Sequence, residues 1–361
     1  MTRARSGAFM NFPWFRCGVC AFAASSRVAV ILLRMPRFVP RHLLSSALAA
    51  LLCMLTVTPS FAWGPDGHRI VNRLAAEKLP TSVPEFLRTQ AAIDEIEYLG
   101  PEPDRWRSAN EAELNAEQAP EHFIDLELAD MVGKLPRRRY DFIAALYATG
   151  LTHPDEARDL RPEKVGLQPW VANEVYERLQ AALREYREQS ARHEDTKDVE
   201  ASAIFYAGWL GHYVGDGSMP LHTTVNYNGW VGKENPNQYV TSPGIHSQWE
   251  STFVHNNLKA ADAEPFIAPV KTLNDPFEDY VAYLRASNGL VERVYQLEKV
   301  QGFDGAGTAE SRQFTAQRLA AGASELRDMI VTAWEKSATP VPPYHPAPPV
   351  PRSTTPRTNP Y

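Results

Sequence analysis

The sequence predicts an all-α fold: a single multi-helix domain over residues 63–339, with no substantial sheet. Apolar residues recur with a period near 3.6 rather than 2, no stretch alternates over a strand's length, and the apolar runs stop at Pro or Gly. Ile70, Val71, Leu74, Ala75 and Leu79 mark a first helix ending near Pro80. Phe142, Ile143, Leu146 and Tyr147 mark a second, ending at Gly150. Pro169 to Glu188 reads as a long amphipathic helix with Val171, Val175, Leu179, Ala182, Leu183 and Tyr186 inward. Val199 to Val214 is more apolar all round, the pattern of a buried central helix. Gln248–Leu258, Phe277–Val300 and Ala309–Lys336 supply three more.

The flanks read differently. Residues 1–62 hold seven arginines and no Asp or Glu. Within them, Met35 to Ala62 has the form of a secretory signal: Arg37, Arg41 and His42, an apolar run Leu43–Val57, then Ser60-Phe61-Ala62 with small residues where a signal peptidase needs them. Cleavage before Trp63 is expected, giving a periplasmic or secreted protein; the run is short for a membrane span. Residues 1–34 fit a mis-assigned start codon, with an extended leader as the alternative. Residues 340–361 contain nine prolines in 22 residues and are expected to be extended and disordered. Thr223 to Ile245 is a polar connection of the length that is functional or mobile.

Charge and cysteine usage narrow the function. Without the leader the chain carries 30 basic and 43 acidic residues, a net of −13, which argues against a broad basic face for duplex DNA. Cys17, Cys20 and Cys53 all precede the expected cut. The mature chain therefore has no disulfide, thiolate metal site or cysteine nucleophile.

The histidines keep unusual company. His212-Tyr-Val-Gly-Asp216 puts an imidazole and a carboxylate four residues apart on one helix face, Pro220 ends that helix, and His222 follows. His246-Ser-Gln-Trp-Glu250 repeats the spacing. His68 lies five residues from the expected mature terminus, and Asp104 and His122 fall in polar, loop-like surroundings. Singly, such pairs suit surface ion pairs, turns or helix caps. Together, with one pair inside an apolar helix, they bury charge that a divalent cation would offset. Nitrogen and oxygen donors without thiolate suit catalytic zinc.

In these segments the chain resembles the zinc-dependent phospholipase C and single-strand nuclease superfamily, particularly its secreted S-one/P-one nuclease branch. The matching stretches are Trp63-Gly-Pro-Asp-Gly-His68, Pro103-Asp-Arg-Trp-Arg107, His122-Phe-Ile-Asp125, His212 to His222 and Gly244-Ile-His-Ser-Gln-Trp-Glu250, in the family's order. The resemblance implies an α-helical fold of that type and three zinc ions. Asp104, His122, His212 and Asp216 would hold the first, and His222, His246 and Glu250 the second. Asp216 as a bridge, His68, and the free amine and carbonyl of Trp63 would hold the third. A neutral α-amine, with a pKa near ~8, binds zinc where an amide nitrogen does not, so the third site awaits export and cleavage. Three divalent ions against three carboxylates leave a local charge of about +3 in an acidic protein, enough to draw phosphate.

The implied reaction is phosphodiester hydrolysis by zinc-activated water, with Asp104 as ligand and proton acceptor and Arg107 stabilising transition-state charge. Phe123 and Asp125 match the base-stacking and base-edge positions of the nucleases, which favours unpaired bases and a single-stranded DNA or RNA substrate cut to 5′-nucleotides. Glu250 in His246-Ser-Gln-Trp-Glu250, where nucleases more often carry Asp, keeps a phospholipase C acting on phospholipid head groups as the alternative, and Met219, where both branches have Gln, leaves the contacts around His222 open. Tyr227 and Trp230 of the polar connection would then face either bases or lipid. A non-catalytic exported zinc-binding protein is the second alternative. No stable protein partner is implied.

Overall fold

The computed structural model describes residues 63–107, 110–232 and 234–341. The expected leader, and the proline-rich tail beyond residue 341, lie outside the described residues. The helices that organise the rest are α1 Gly64–Glu77, α2 Gln90–Leu99, α3 Glu102–Trp106, α4 Arg139–Thr152, α5 Gln168–Ala191, α6 Lys197–Ser218, α7 Pro276–Asn288, α8 Val291–Lys299 and α9 Ala309–Lys336. Among the described residues there is no sheet, only isolated bridges pairing Ile124 with Gly166 and Tyr227 with Gly229. The all-α expectation holds. No helix among them is long and apolar enough to cross a membrane.

The buried helix expected at Val199–Val214 is α6, and it is the axis of the molecule: α5, α9, α1 and α2 all pack on it. Ala203, Ala207, Gly208, Leu210, Gly211, Tyr213, Val214 and Gly215 are buried along it. Its glycines admit neighbouring helices closely, since a Cβ at Gly211 would lie 2.0 Å from Asn72 Oδ1 of α1. That asparagine joins three helices, because its Nδ2 donates to Ile96 O of α2 and Gly208 O of α6. Side-chain caps set several starts: Thr89 accepts from Ala92 N for α2, Asp275 from Glu278 N for α7, and Thr308 pairs reciprocally with Ser311 for α9.

Four expectations change. The Phe277–Val300 helix is two, α7 and α8: Asn288, the last residue of α7, donates its Nδ2–H to Thr223 O and Gly289-Leu290 makes the turn. The Gln248–Leu258 helix starts earlier and is not uniformly α: Ile245–Ser247 and Val254–Asn257 flank a π-helical stretch, Gln248–Phe253. Asp104 and His122 do not lie in loops but on α3 and the 3-10 turn Ala119–His122. The connection Thr223–Ile245 is largely anchored: Thr223 and Thr224 are buried, and Trp230 packs against Tyr239 and Tyr295 with ring centroids 5.1 and 5.4 Å away. Trp230 therefore faces the core, and of the two aromatics singled out there only Tyr227 is exposed. Periodicity alone also missed α2, which is only ten residues long.

Candidate metal centre and adjoining cleft

Six separate pieces of chain deliver the polar cluster. α1 supplies His68, α3 supplies Asp104, α6 supplies His212 and Asp216 one turn apart, and the turns after Gln118 and Met219 supply His122 and His222. The Ile245–Phe253 segment adds His246 and Glu250. All eight side chains are buried. Their donor atoms form three groups, each within 4.8 Å: His68, Asp104 and His212; His122, His212 and Asp216; and His222, His246 and Glu250. Sequence positions spread from 68 to 250 thus converge.

Asp216 stands between the first two groups. Its Oδ1 lies 3.3 Å from His68 Nε2, and its Oδ2 lies 3.3 Å from His122 Nδ1 and 3.4 Å from His212 Nε2. Asp104 faces the same imidazoles at 3.8–4.0 Å. In the third group His246 Nε2 is 2.8 Å from Glu250 Oε2 and 3.1 Å from His222 Nε2. Ligand atoms held tetrahedrally at zinc–nitrogen distances of ~2.0–2.1 Å sit about 3.3–3.4 Å apart. The observed spacings bracket that separation.

Backbone carbonyls orient the imidazoles. His212 Nδ1 lies 2.8 Å from Gly100 O, His222 Nδ1 2.7 Å from His122 O, and His246 Nδ1 3.0 Å from Tyr227 O. A carbonyl only accepts, so each Nδ1 carries a proton and each ring turns its Nε2 into the cluster. At His222 and His246 the two Nε2 atoms meet beside Glu250 Oε2, a contact that either a proton or a metal cation between them satisfies. The carboxylates give the same sign: both oxygens of Asp104 and both of Asp216 are buried and accept no hydrogen bond among the described residues. Buried carboxylates are ordinarily satisfied. The donor set fits a divalent cation.

The electrostatics agree. Without a cation, burial lifts Asp104 and Asp216 to about 8, against partial relief from His68 and His222 respectively. Burial also holds His122 and His212 well below the ordinary imidazole range, in the neutral form that binds metal. At His246 burial is outweighed by Glu250, which raises the imidazole, and at Glu250 by His246 and His222, which lower the carboxyl.

Trp63 is fully buried beside this cluster. Its indole Nε1 donates to Gly215 O at 2.7 Å and Ser218 Oγ at 2.8 Å, and its ring meets Trp249 edge-on at 5.4 Å. The side chain thus fixes the start of α1 against α6. The residue preceding Trp63 lies outside the described residues.

A cleft of about 310 Å³ opens against the third group, lined by Arg107, His122, Phe123, Asp125, His222 and His246 among others. Phe123 and Asp125 share its wall for a backbone reason. Residues 123–125 run extended between two neighbours: Ile124 N bonds to His222 O and Asp125 N to Val165 O, while Leu126 N, at the start of a short helix, bonds to Thr223 O. Alternate residues of an extended segment face one side, so Ile124 enters the core while Phe123 and Asp125 line the cleft. Gly166 permits this: at φ +88 its position for a Cβ lies 2.0 Å from Phe123 O. At Asp125 burial, with the Glu127 charge adding to it, lifts the carboxyl to about 8. Arg107 is half-buried, its Nη1 3.8 Å from Asp104 Oδ1. The cleft also holds Glu163, Lys164 and Tyr227, which no motif had marked as its lining. Tyr227 was visible in the polar connection, but Glu163 and Lys164 belong to a turn without any signal of its own.

In comparisons with known proteins, a family model described as S1/P1 Nuclease matches residues 63–341. No curated protein and no solved structure matches the chain.

Proposed function

The chain belongs to the S1/P1 nuclease family and is thereby a nuclease-type hydrolase acting on nucleic acid; from that premise we propose that it is an exported enzyme, holding up to three zinc ions, that cuts single-stranded DNA or RNA to 5′-nucleotides. The observation that carries this reading is the meeting of hydrogen-bond-free Asp104 and Asp216 carboxylates with inward-facing imidazoles at the wall of a cleft that also holds an aromatic ring. Asp104, His122, His212 and Asp216 would hold one ion, His222, His246 and Glu250 a second, and Asp216, His68 and the amine and carbonyl of a processed Trp63 a third. When bound, zinc supplies acidification of water near neutral pH and positive charge against phosphate oxygens.

The chain's own residues do the rest. Asp104 receives a proton from the attacking water, and Arg107, on the cleft side of Asp104, meets charge that grows on the phosphate. Phe123 stacks on an unpaired base, which a duplex base already engaged in stacking does not offer. Asp125, protonated up to about 8, both donates and accepts at the base edge. Cleavage before Trp63 would free the amine for the third ion. The phospholipase C alternative rests on Glu250, with Tyr227 the exposed aromatic left to meet lipid.

Zinc-loaded protein assayed in parallel on single-stranded DNA, duplex DNA and lecithin tests this. Release of 5′-nucleotides from the single strand, well ahead of the duplex, is expected. Phosphocholine release with nucleic acid intact would overturn it.

A further inference from the structure

A second cavity, of about 330 Å³, lies between α5 and the ends of neighbouring elements. Tyr176, Gln180 and Arg184 line it at four-residue intervals along one face of α5, and Arg137 and Lys336 close it. None of these residues lines the cleft described above.

The cations here differ in their state. Arg137 is engaged by Asp275 at 2.6 Å, and Lys336 Nζ donates to Asn274 O at 3.1 Å. Arg184 makes no ion pair or hydrogen bond among the described residues, and its Nε is buried without a partner. Tyr176 is 2% exposed, and its hydroxyl also lacks a partner. Burial, with Glu177 adding, raises that hydroxyl, so it remains a donor. A guanidinium and a phenol thus share one cavity with no acceptor of their own. Buried donors are ordinarily satisfied, and a guanidinium is matched best by anionic oxygens. Glu177, the acidic lining residue, is occupied at Oε1 by Asn173 Nδ2 at 3.1 Å and is exposed.

We propose that this cavity is a phosphate-binding site, with Arg184 and Tyr176 donating to the phosphoryl oxygens and Lys336 adding charge. Donors reaching in from a guanidinium, a phenol and an ammonium suit a tetrahedral anion better than a planar carboxylate, which Arg184 alone would satisfy. The phosphate is either free or part of a nucleic-acid backbone. For the second source the span is set by α5: Gln168 at its start bonds through its N–H to Phe123 O of the cleft wall, and Arg184 lies about 24 Å farther along the helix at 1.5 Å per residue. Only that second source depends on the nuclease reading.

Calorimetric titration of the zinc-loaded full chain with inorganic phosphate tests the site. Wild type is expected to show a class of phosphate sites that Arg184→Gln weakens about tenfold or more and Tyr176→Phe about two- to tenfold. Tyr176→Phe removes one oxygen and keeps the ring, so it guards against loss of folding; both variants are checked by thermal melting. Hydrolysis of a small phosphodiester should be unchanged in both. Unaltered phosphate stoichiometry and affinity in both variants would overturn the proposal. A raised KM of Arg184→Gln for a long single-stranded oligonucleotide, with phosphate binding weakened, identifies the backbone as the source. An unchanged KM with phosphate binding weakened identifies free phosphate. Because phosphate binding is read without turnover, failure of the nuclease reading leaves this result interpretable.

Discussion

Asp216 turns one oxygen toward His68 and the other toward His122 and His212. One carboxylate in that position would serve two ions, so on the proposed reading Asp216→Asn is expected to lose two zinc equivalents together, read by elemental analysis of the purified variant. Retention of the full metal content would remove the bridge. Phe123 makes a different kind of contribution. It is only half-buried and lines the cleft through backbone alternation, not core packing. Phe123→Ala should weaken nucleotide binding by about 1–3 kcal/mol while leaving the melting temperature nearly unmoved. Equal nucleotide affinity with a lowered melting temperature would assign the ring to packing. At this scale the site residues could be read from the chain because each carries its chemistry in its side chain: His212 and Asp216 one helical turn apart, His246 and Glu250 likewise. Glu163 and Lys164 could not, since a charged pair on a short turn is ordinary until the turn folds over a cleft.

The helices show where local pattern suffices. α9 has the bounds its apolar periodicity indicated, and α5 and α6 extend their expected spans by a few residues at each end. The breaks depend on partners instead. Asn288, the last residue of α7, reaches Thr223 O, a contact across 65 positions that no periodicity encodes. The π-helical turns at Gln248–Phe253 bring Glu250 within 2.8 Å of His246, and such insertions gather at functional sites. Close approach of α6 to α1 is a further element-scale property. Gly211→Ala would press a methyl group onto Asn72, whose amide ties α1 to α2 and α6, and should cost about 1–3 kcal/mol in urea unfolding. An unchanged midpoint would mean that α1 can shift without loss.

Across the whole molecule, the buried carboxyls couple stability to pH and metal. In the metal-free folded chain Asp104 and Asp216 keep their protons up to about 8, whereas in the unfolded chain they release them near 3.8. The folded state then binds more protons across that window, so stability is greatest below it and is lost as pH rises. The melting temperature of metal-free protein should fall between about pH 5 and pH 8. Zinc replaces those protons, so the loaded protein should lose most of that slope and instead weaken at the acid end, where protons displace metal. Asp125 and Glu325, lifted to about 8 and about 7 mainly by burial, retain their share in both forms. Calorimetric scans of both forms across this range check the sign; parallel profiles would show that the two carboxyls do not titrate with the metal.

Composition, helical period and the His/carboxylate spacing were enough to indicate an all-α protein with a candidate metal centre, because these depend on residue type and near-neighbour spacing; the nuclease activity came from the resemblance. The convergence of the His/Asp/Glu side chains was inferred from resemblance and became a set of distances only when α1, α3 and the connection after α6 closed around that central helix. The cleft wall at Phe123 and Asp125, the inward turn of Trp230 and the unpartnered Arg184 and Tyr176 were decided by folding alone. Each depends on which backbone or cavity lies opposite, and that is a property of distant segments brought together, not of any local stretch.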